Sequence, residues 1–140
     1  MQASSDNEIR DILRTVKVIA LLGASPKPER PSNSVMKFLL DHGYYVIPVN
    51  PGQVGKIIHG QRVVGQLADI DELIDMVDVF RASDALPGIV DEILALKKRP
   101  SVLWTQLDVI HVEAAKRAES EGIKVVMDRC PAIEYPRLIG

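Results

Sequence analysis

The residues best suited to chemistry gather in one stretch, Gly23-Ala24-Ser25, with Lys27 and Arg30 close behind. Gly23 permits a tight turn because it has no Cβ. Ser25 offers a hydroxyl, and the two cations follow in a loop that contains Pro26, Pro28 and Pro31. If a helix begins after that loop, its free N–H groups and its dipole make an anion site. The ligand expected at such a turn carries phosphate.

Other candidates stand at comparable breaks in the apolar pattern: Asn50-Pro51, Ser83, Trp104, Gln106 and Arg129-Cys130. Each also has a plainer reading. Ser25 and Asn50-Pro51-Gly52 serve turns, Lys27 and Arg30 are solvated loop charges, and Trp104 fills the core. Cys130 is the only cysteine, so no internal disulfide forms. Arg129 beside it favours the thiolate, the reactive form. A reactive Cys130 would form a mixed disulfide with a ligand thiol under oxidation, making the protein a redox-sensitive carrier or sensor. His42, His59 and His111 lack metal-ligand spacing, and no metal site is expected.

The elements that must position these residues follow from hydrophobic periodicity. Residues 5–15 read as a helix with a Ser5/Glu8 capping box. Val16–Leu22 is a short apolar run rich in β-branched residues, suited to a strand buried on both faces. A helix is expected from about Asn33 to His42, capped by Ser32 or Asn33 and stopped at Gly43. Tyr44–Val49 is the second strand, with Pro48 awkward in any central position. Ile57-Ile58 and Val63-Val64 suggest a small hairpin, and Asp69 or Asp71 a cap for a short helix over Glu72–Met76.

Val77–Ala82 is the third strand, and Pro87 opens the helix that leads to Lys97-Lys98-Arg99. Ser101–Trp104 is the fourth strand, followed by a helix from about Val109 to Glu121. Lys124–Met127 is the fifth strand, and Ala132–Gly140 is expected as an extended tail. Strands alternating with helices give βαβ units. The expected fold class is therefore α/β: a single Rossmann-like domain over residues 1–140, with a five-stranded, mainly parallel sheet and helices on both faces. In such sheets ligands bind beyond the carboxyl ends of the strands, which is where the candidate residues fall.

Composition excludes several classes. Of 140 residues, 46% are hydrophobic and 26% charged, as in an ordinary globular domain. A net charge of −2 offers no broad attraction to nucleic acid or to an anionic membrane. No apolar run approaches the roughly 20 residues of a membrane span. The polar, acidic start, MQASSDNEIRD, resembles no signal peptide, so a cytoplasmic location is expected.

A nicotinamide cofactor calls for GxGxxG and an acid about 20 residues on. Here Ala24 and Ser25 follow Gly23, and the second strand ends in Asn50. Lys27 and Arg30 suit extra phosphate charge instead. NADP and the 3′-phosphoadenosine end of coenzyme A both fit that requirement.

The stretches GASPKPERPSNSVMKFLLDHGYYVIPVNPG, VDVFRASD, WTQLDV and VVMDRCPAIEYPRL resemble the small stand-alone CoA-binding proteins. These are similar to the CoA-binding domain of succinyl-CoA synthetase. The resemblance covers about residues 8–138. It implies that Gly23, Ala24 and Ser25 hold the pyrophosphate through backbone amides and the Ser25 hydroxyl, with Lys27 and Arg30 on phosphates. It implies that Asn50 and Pro51 border the adenosine with Ser83 nearby, and that Trp104 and Gln106 line the way to the pantetheine arm. Asp108 stands where the family pattern WxQxGV has glycine, which bears on the turn after Gln106.

The implied function is binding of coenzyme A or acyl-CoA as a small-molecule ligand, with no nucleic acid, no membrane and no catalysis of its own. An NADP-dependent reductase and a non-catalytic subunit of an acyl-CoA enzyme are the alternatives.

Overall fold

A computed structural model describes residues 4–140. Five parallel strands form one sheet in the order β2-β1-β5-β6-β7: β1 (Val18–Leu22), β2 (Tyr45–Val49), β5 (Met76–Val79), β6 (Val102–Thr105) and β7 (Lys124–Val126). The two remaining strands, β3 (Ile57–Ile58) and β4 (Gln61–Arg62), pair as a small antiparallel hairpin. The helices are α1 (Asp6–Thr15), α2 (Pro31–Asp41), α3 (Leu86–Leu94), α4 (Val112–Ser120) and α5 (Pro131–Leu138).

Alternation along the strands divides the core in two. Ile19, Leu21, Val46, Met76, Val102 and Trp104 pack with residues of α1, α2 and α5. Ala20, Leu22, Val77, Val79, Leu103 and Val125 pack with α3 and α4 on the other face. The chain leaves β1 in one direction to reach β2 and later returns to β5 on the far side of β1. The order therefore reverses between β1 and β5, which opens a crevice beyond their carboxyl ends.

Several expectations change in physical detail. Pro48 belongs to an edge strand, where its missing N–H costs no ladder bond, and its carbonyl accepts from Val64. α2 begins with Pro31 at its first position and Arg30 as N-cap, without a side-chain cap, so neither Ser32 nor Asn33 caps it. No helix forms over Glu72–Met76: a 3₁₀ turn spans Leu67–Asp69, and Met76 already lies in β5. His111, not an earlier residue, caps α4 by accepting from the Ala114 amide.

The expected extended tail is instead α5. Pro131 opens it, and buried Glu134 takes Arg137 at 2.6 Å while Arg137 also pairs with Asp6 of α1. Pro136 lies inside this short helix, sixth of its eight residues, and does not break it. The helix thus follows from apolar Leu138 and a charge network that ties the two ends of the chain together.

Asp78 is fully buried in β5, in register with Leu21 and Trp104, and neither carboxylate oxygen has a hydrogen-bond partner. Burial drives its pKa well above the ordinary carboxylate value, so the folded state holds a proton the unfolded chain releases. This contribution to stability is complete below pH 3.8 and is lost as pH rises toward the folded-state value. Relative to Asp78→Asn, the wild-type protein should lose up to about 1.4 kcal/mol per pH unit across that window. Urea melts of both proteins between pH 4 and 8 check this; parallel curves would show that Asp78 is not held protonated.

Candidate functional site

The crevice at the reversal point is a cleft of about 510 Å³. Its walls include Gly23, Ser25, Lys27, Arg30, Pro31, Ser32, Asn50 and Gln106 from the regions singled out by the sequence. Gln53, Phe80, Arg81, Leu107 and Val109 complete it. Arg81 was legible only as the end of a strand; its place beside the glycine turn depends on β5 lying next to β1. Among the described residues, Lys27, Arg30 and Arg81 form no ion pair, and no carboxylate lines the cleft. In a protein of net charge −2, the charged side chains that line this cleft are all cationic.

Gly23 has a structural task. Its φ is +84°, and an added Cβ would stand 2.2 Å from the Phe80 carbonyl oxygen. The Gly23 and Ala24 amides both donate to the Val49 carbonyl, at 3.0 and 3.3 Å. These two amides are therefore committed to the protein's own backbone. The Ser25 amide has no protein partner among the described residues, and its hydroxyl oxygen accepts from the Lys27 amide at 3.2 Å. The uncapped start of α2, with Ser32 in the cleft wall, supplies the positive end of a helix dipole. Within the turn, Ser25 is thus the residue whose amide is left without a protein partner among the described residues.

Asn50 braces this turn. Its Nδ2 donates to the Ala24 carbonyl at 2.8 Å and its Oδ1 accepts from Gly52 at 2.9 Å. Pro51 opens the following 3₁₀ turn and is exposed outside the cleft wall. Ser83 also lies outside the wall. Its hydroxyl donates to the Asp108 carbonyl and accepts from the Ile110 amide, fixing the loop after β6. Gln106 lines the cleft and is largely buried.

Trp104 and Cys130 are placed differently from their expected positions. Trp104 is fully enclosed in the core, its indole N–H donating to the Arg129 carbonyl at 2.8 Å, so it does not line a ligand path. Cys130 is buried at the start of α5, within the same core cluster, and outside the cleft wall. Alternation alone does not separate a rim residue from a core residue at a strand end.

Asp108 keeps the backbone expected of the glycine it replaces, with φ +67°. Its amide donates to Asp128 Oδ1 at 2.7 Å and its carbonyl accepts from Ser83. The turn after Gln106 is therefore intact.

A doubly wound sheet with a cleft at its reversal point defines a Rossmann-like α/β domain. The chain belongs to the CoA binding domain family, whose model matches residues 17–136. It is 40% identical to the uncharacterized protein YneT of Bacillus subtilis over 135 residues, 96% of this chain and 97% of that protein. A solved Thermus thermophilus structure is 41% identical, covers 96% of this chain and 99% of its own, and has a TM-score of 0.90. A hypothetical protein from Pyrococcus horikoshii is 39% identical, covers 100% and 98%, and also has a TM-score of 0.90. A dinucleotide-forming acetyl-coenzyme A synthetase from Ca. Korarchaeum cryptofilum shares the fold, with a TM-score of 0.65 and 22% identity. The match covers 82% of this chain and 27% of the synthetase.

Two substitutions check this account of the turns. Asp108→Gly should stabilise the protein by about 1 kcal/mol by relieving a left-handed residue. Gly23→Ala should destabilise it by more than about 3 kcal/mol, because backbone must move. Thermal melts measure both; a harmless Gly23→Ala would contradict the close approach to Phe80.

Proposed function

We propose that this protein is a binding module for coenzyme A or acyl-CoA, held by its phosphates in the cleft beyond β1 and β5. The observation that carries the reading is the convergence of Lys27, Arg30 and Arg81 on a wall that also holds Ser25 and the uncapped start of α2. Such a surface suits a ligand with several phosphates. Ser25 and the first turn of α2 take the pyrophosphate, and the cations meet the remaining phosphate charge. Asn50 and Pro51 border the adenosine side, and Phe80, Leu107 and Val109 give the pantetheine arm an apolar wall beside Gln106.

Asn50 weakens the dinucleotide alternative. It stands where a ribose-reading acid would stand, and both ends of its amide are engaged by backbone. A disulfide between Cys130 and the CoA thiol would need an added oxidant to take two electrons while both thiols lose their protons. It would also need exposure of a thiol now enclosed in the core. Reversible binding uses neither.

Competition calorimetry with CoA, NADP and NAD tests the ligand. CoA should bind most tightly, and a preference for NADP would move the protein to the reductases. Ser25→Trp should abolish CoA binding with the fold intact. Neutralising Lys27, Arg30 and Arg81 together should weaken CoA at least tenfold and flatten the salt dependence. Unchanged affinity in both variants would place the ligand elsewhere.

A further inference from the structure

Ser25 is held from both sides. The Ala24 carbonyl accepts from Asn50 Nδ2 at 2.8 Å, and the Ser25 carbonyl accepts from Asn33 Nδ2 at 3.0 Å. Because a trans peptide sets C=O and N–H on opposite sides, fixing the Ala24 carbonyl also aims the Ser25 amide. Pro26 further restricts Ser25 to extended backbone. Each asparagine must keep its amide the right way round to act as this donor. Asn50 is oriented locally, by the Gly52 amide on its Oδ1. Asn33 is oriented from a distance: His59 Nε2 lies 2.9 Å from its Oδ1 and 3.1 Å from its backbone carbonyl. Both neighbours are acceptors, so Nε2 carries the proton and donates.

His59 is also out of place by local criteria. His59 and Gly60, with φ of +48° and +83°, are the two central residues of the β3–β4 hairpin. That turn type favours Asn-Gly, and a histidine there is strained. The ring is exposed, so core packing does not account for it. The hairpin itself is anchored by buried Ile58 and by Gln61, which donates to the Val46 carbonyl at 2.9 Å. This gives the strained histidine a fixed base from which to reach α2. His59 does not line the cleft.

We infer that His59 is a positioning residue for the phosphate site: through Asn33 it fixes the orientation of Ser25, and so couples the β3–β4 hairpin to ligand affinity. As a statement about affinity this rests on the CoA-binding reading; as a statement about Ser25 it does not. The loss of Nε2–H leaves the Asn33 amide able to turn over and set its oxygen against the Ser25 carbonyl.

The test uses His59→Asn, which restores the favoured turn residue but lacks the reach to Asn33. Thermal stability should be unchanged or higher, while CoA affinity falls about tenfold. Asn33→Ala should weaken CoA similarly, and the double variant no further, because both act on one contact. Full additivity, or wild-type affinity in His59→Asn, would overturn the inference. A ligand-free arm separates this from failure of the CoA reading. The ¹³C′ shift of Ser25, which reports the bond its carbonyl accepts from Asn33, should move in His59→Asn. An unchanged Ser25 carbonyl shift would overturn the inference whatever the protein binds.

Discussion

The ends of three adjacent strands meet at one carbonyl and one missing Cβ. Val49 O, at the end of β2, takes the amides of both Gly23 and Ala24 as the chain leaves β1. On the other side Phe80 donates back to Leu22 at 2.8 Å, and its carbonyl occupies the space a Cβ on residue 23 would need. Closing the strand ends in this way turns the chain sharply toward Ser25 and delivers it to the start of α2. The unpartnered amide of Ser25 and the placement of Lys27 and Arg30 follow from that turn, and β5 beside β1 adds Arg81. The glycine is thus needed first for strand-to-strand approach and only through it for a ligand.

The same constraint reassigns the work among neighbouring residues. A glycine-rich phosphate loop usually offers its own amides to the anion. Here two of them are satisfied internally, which leaves the Ser25 amide without a protein partner among the described residues, beside an uncapped helix whose first residue, Pro31, has no N–H to give. The surrounding asparagines do not reach toward a ligand but hold backbone carbonyls. Rigidity of this kind lowers the ordering cost of binding.

Much of this was legible in the sequence. The five strands of the sheet, their alternation with helices and the glycine turn came from apolar runs and breakers, because buried parallel strands are short and nearly continuous in hydrophobicity. The cleft residues that were found are those in the turn and its loop, Gly23, Ser25, Lys27 and Arg30, and those at the ends of other strands, Asn50 and Gln106. Arg81 and Phe80 were not, since their relevance depends on strand order, which local pattern does not encode. Trp104 and Cys130 were placed on the rim because they stand at strand ends, yet both face the core. The C-terminal helix was hidden by Pro136, a breaker by local criteria that nevertheless stands inside it, and by a stabilising ion network with Asp6, distant in sequence. Asp108 illustrates the reverse case. A departure from the glycine pattern is absorbed by two hydrogen bonds from elsewhere in the fold.

The account's central claim is that ligand phosphate sits on Ser25 and the first turn of α2 while Gly23 and Ala24 stay bonded to Val49. A crystal structure of the protein with CoA tests it most directly. The predicted result is pyrophosphate oxygen within hydrogen-bond distance of the Ser25 amide, with Lys27, Arg30 or Arg81 on the phosphates and the Val49 carbonyl still shared by two amides. Phosphates bound away from β1 and α2, or a CoA that displaces the Gly23 and Ala24 amides from Val49, would contradict it.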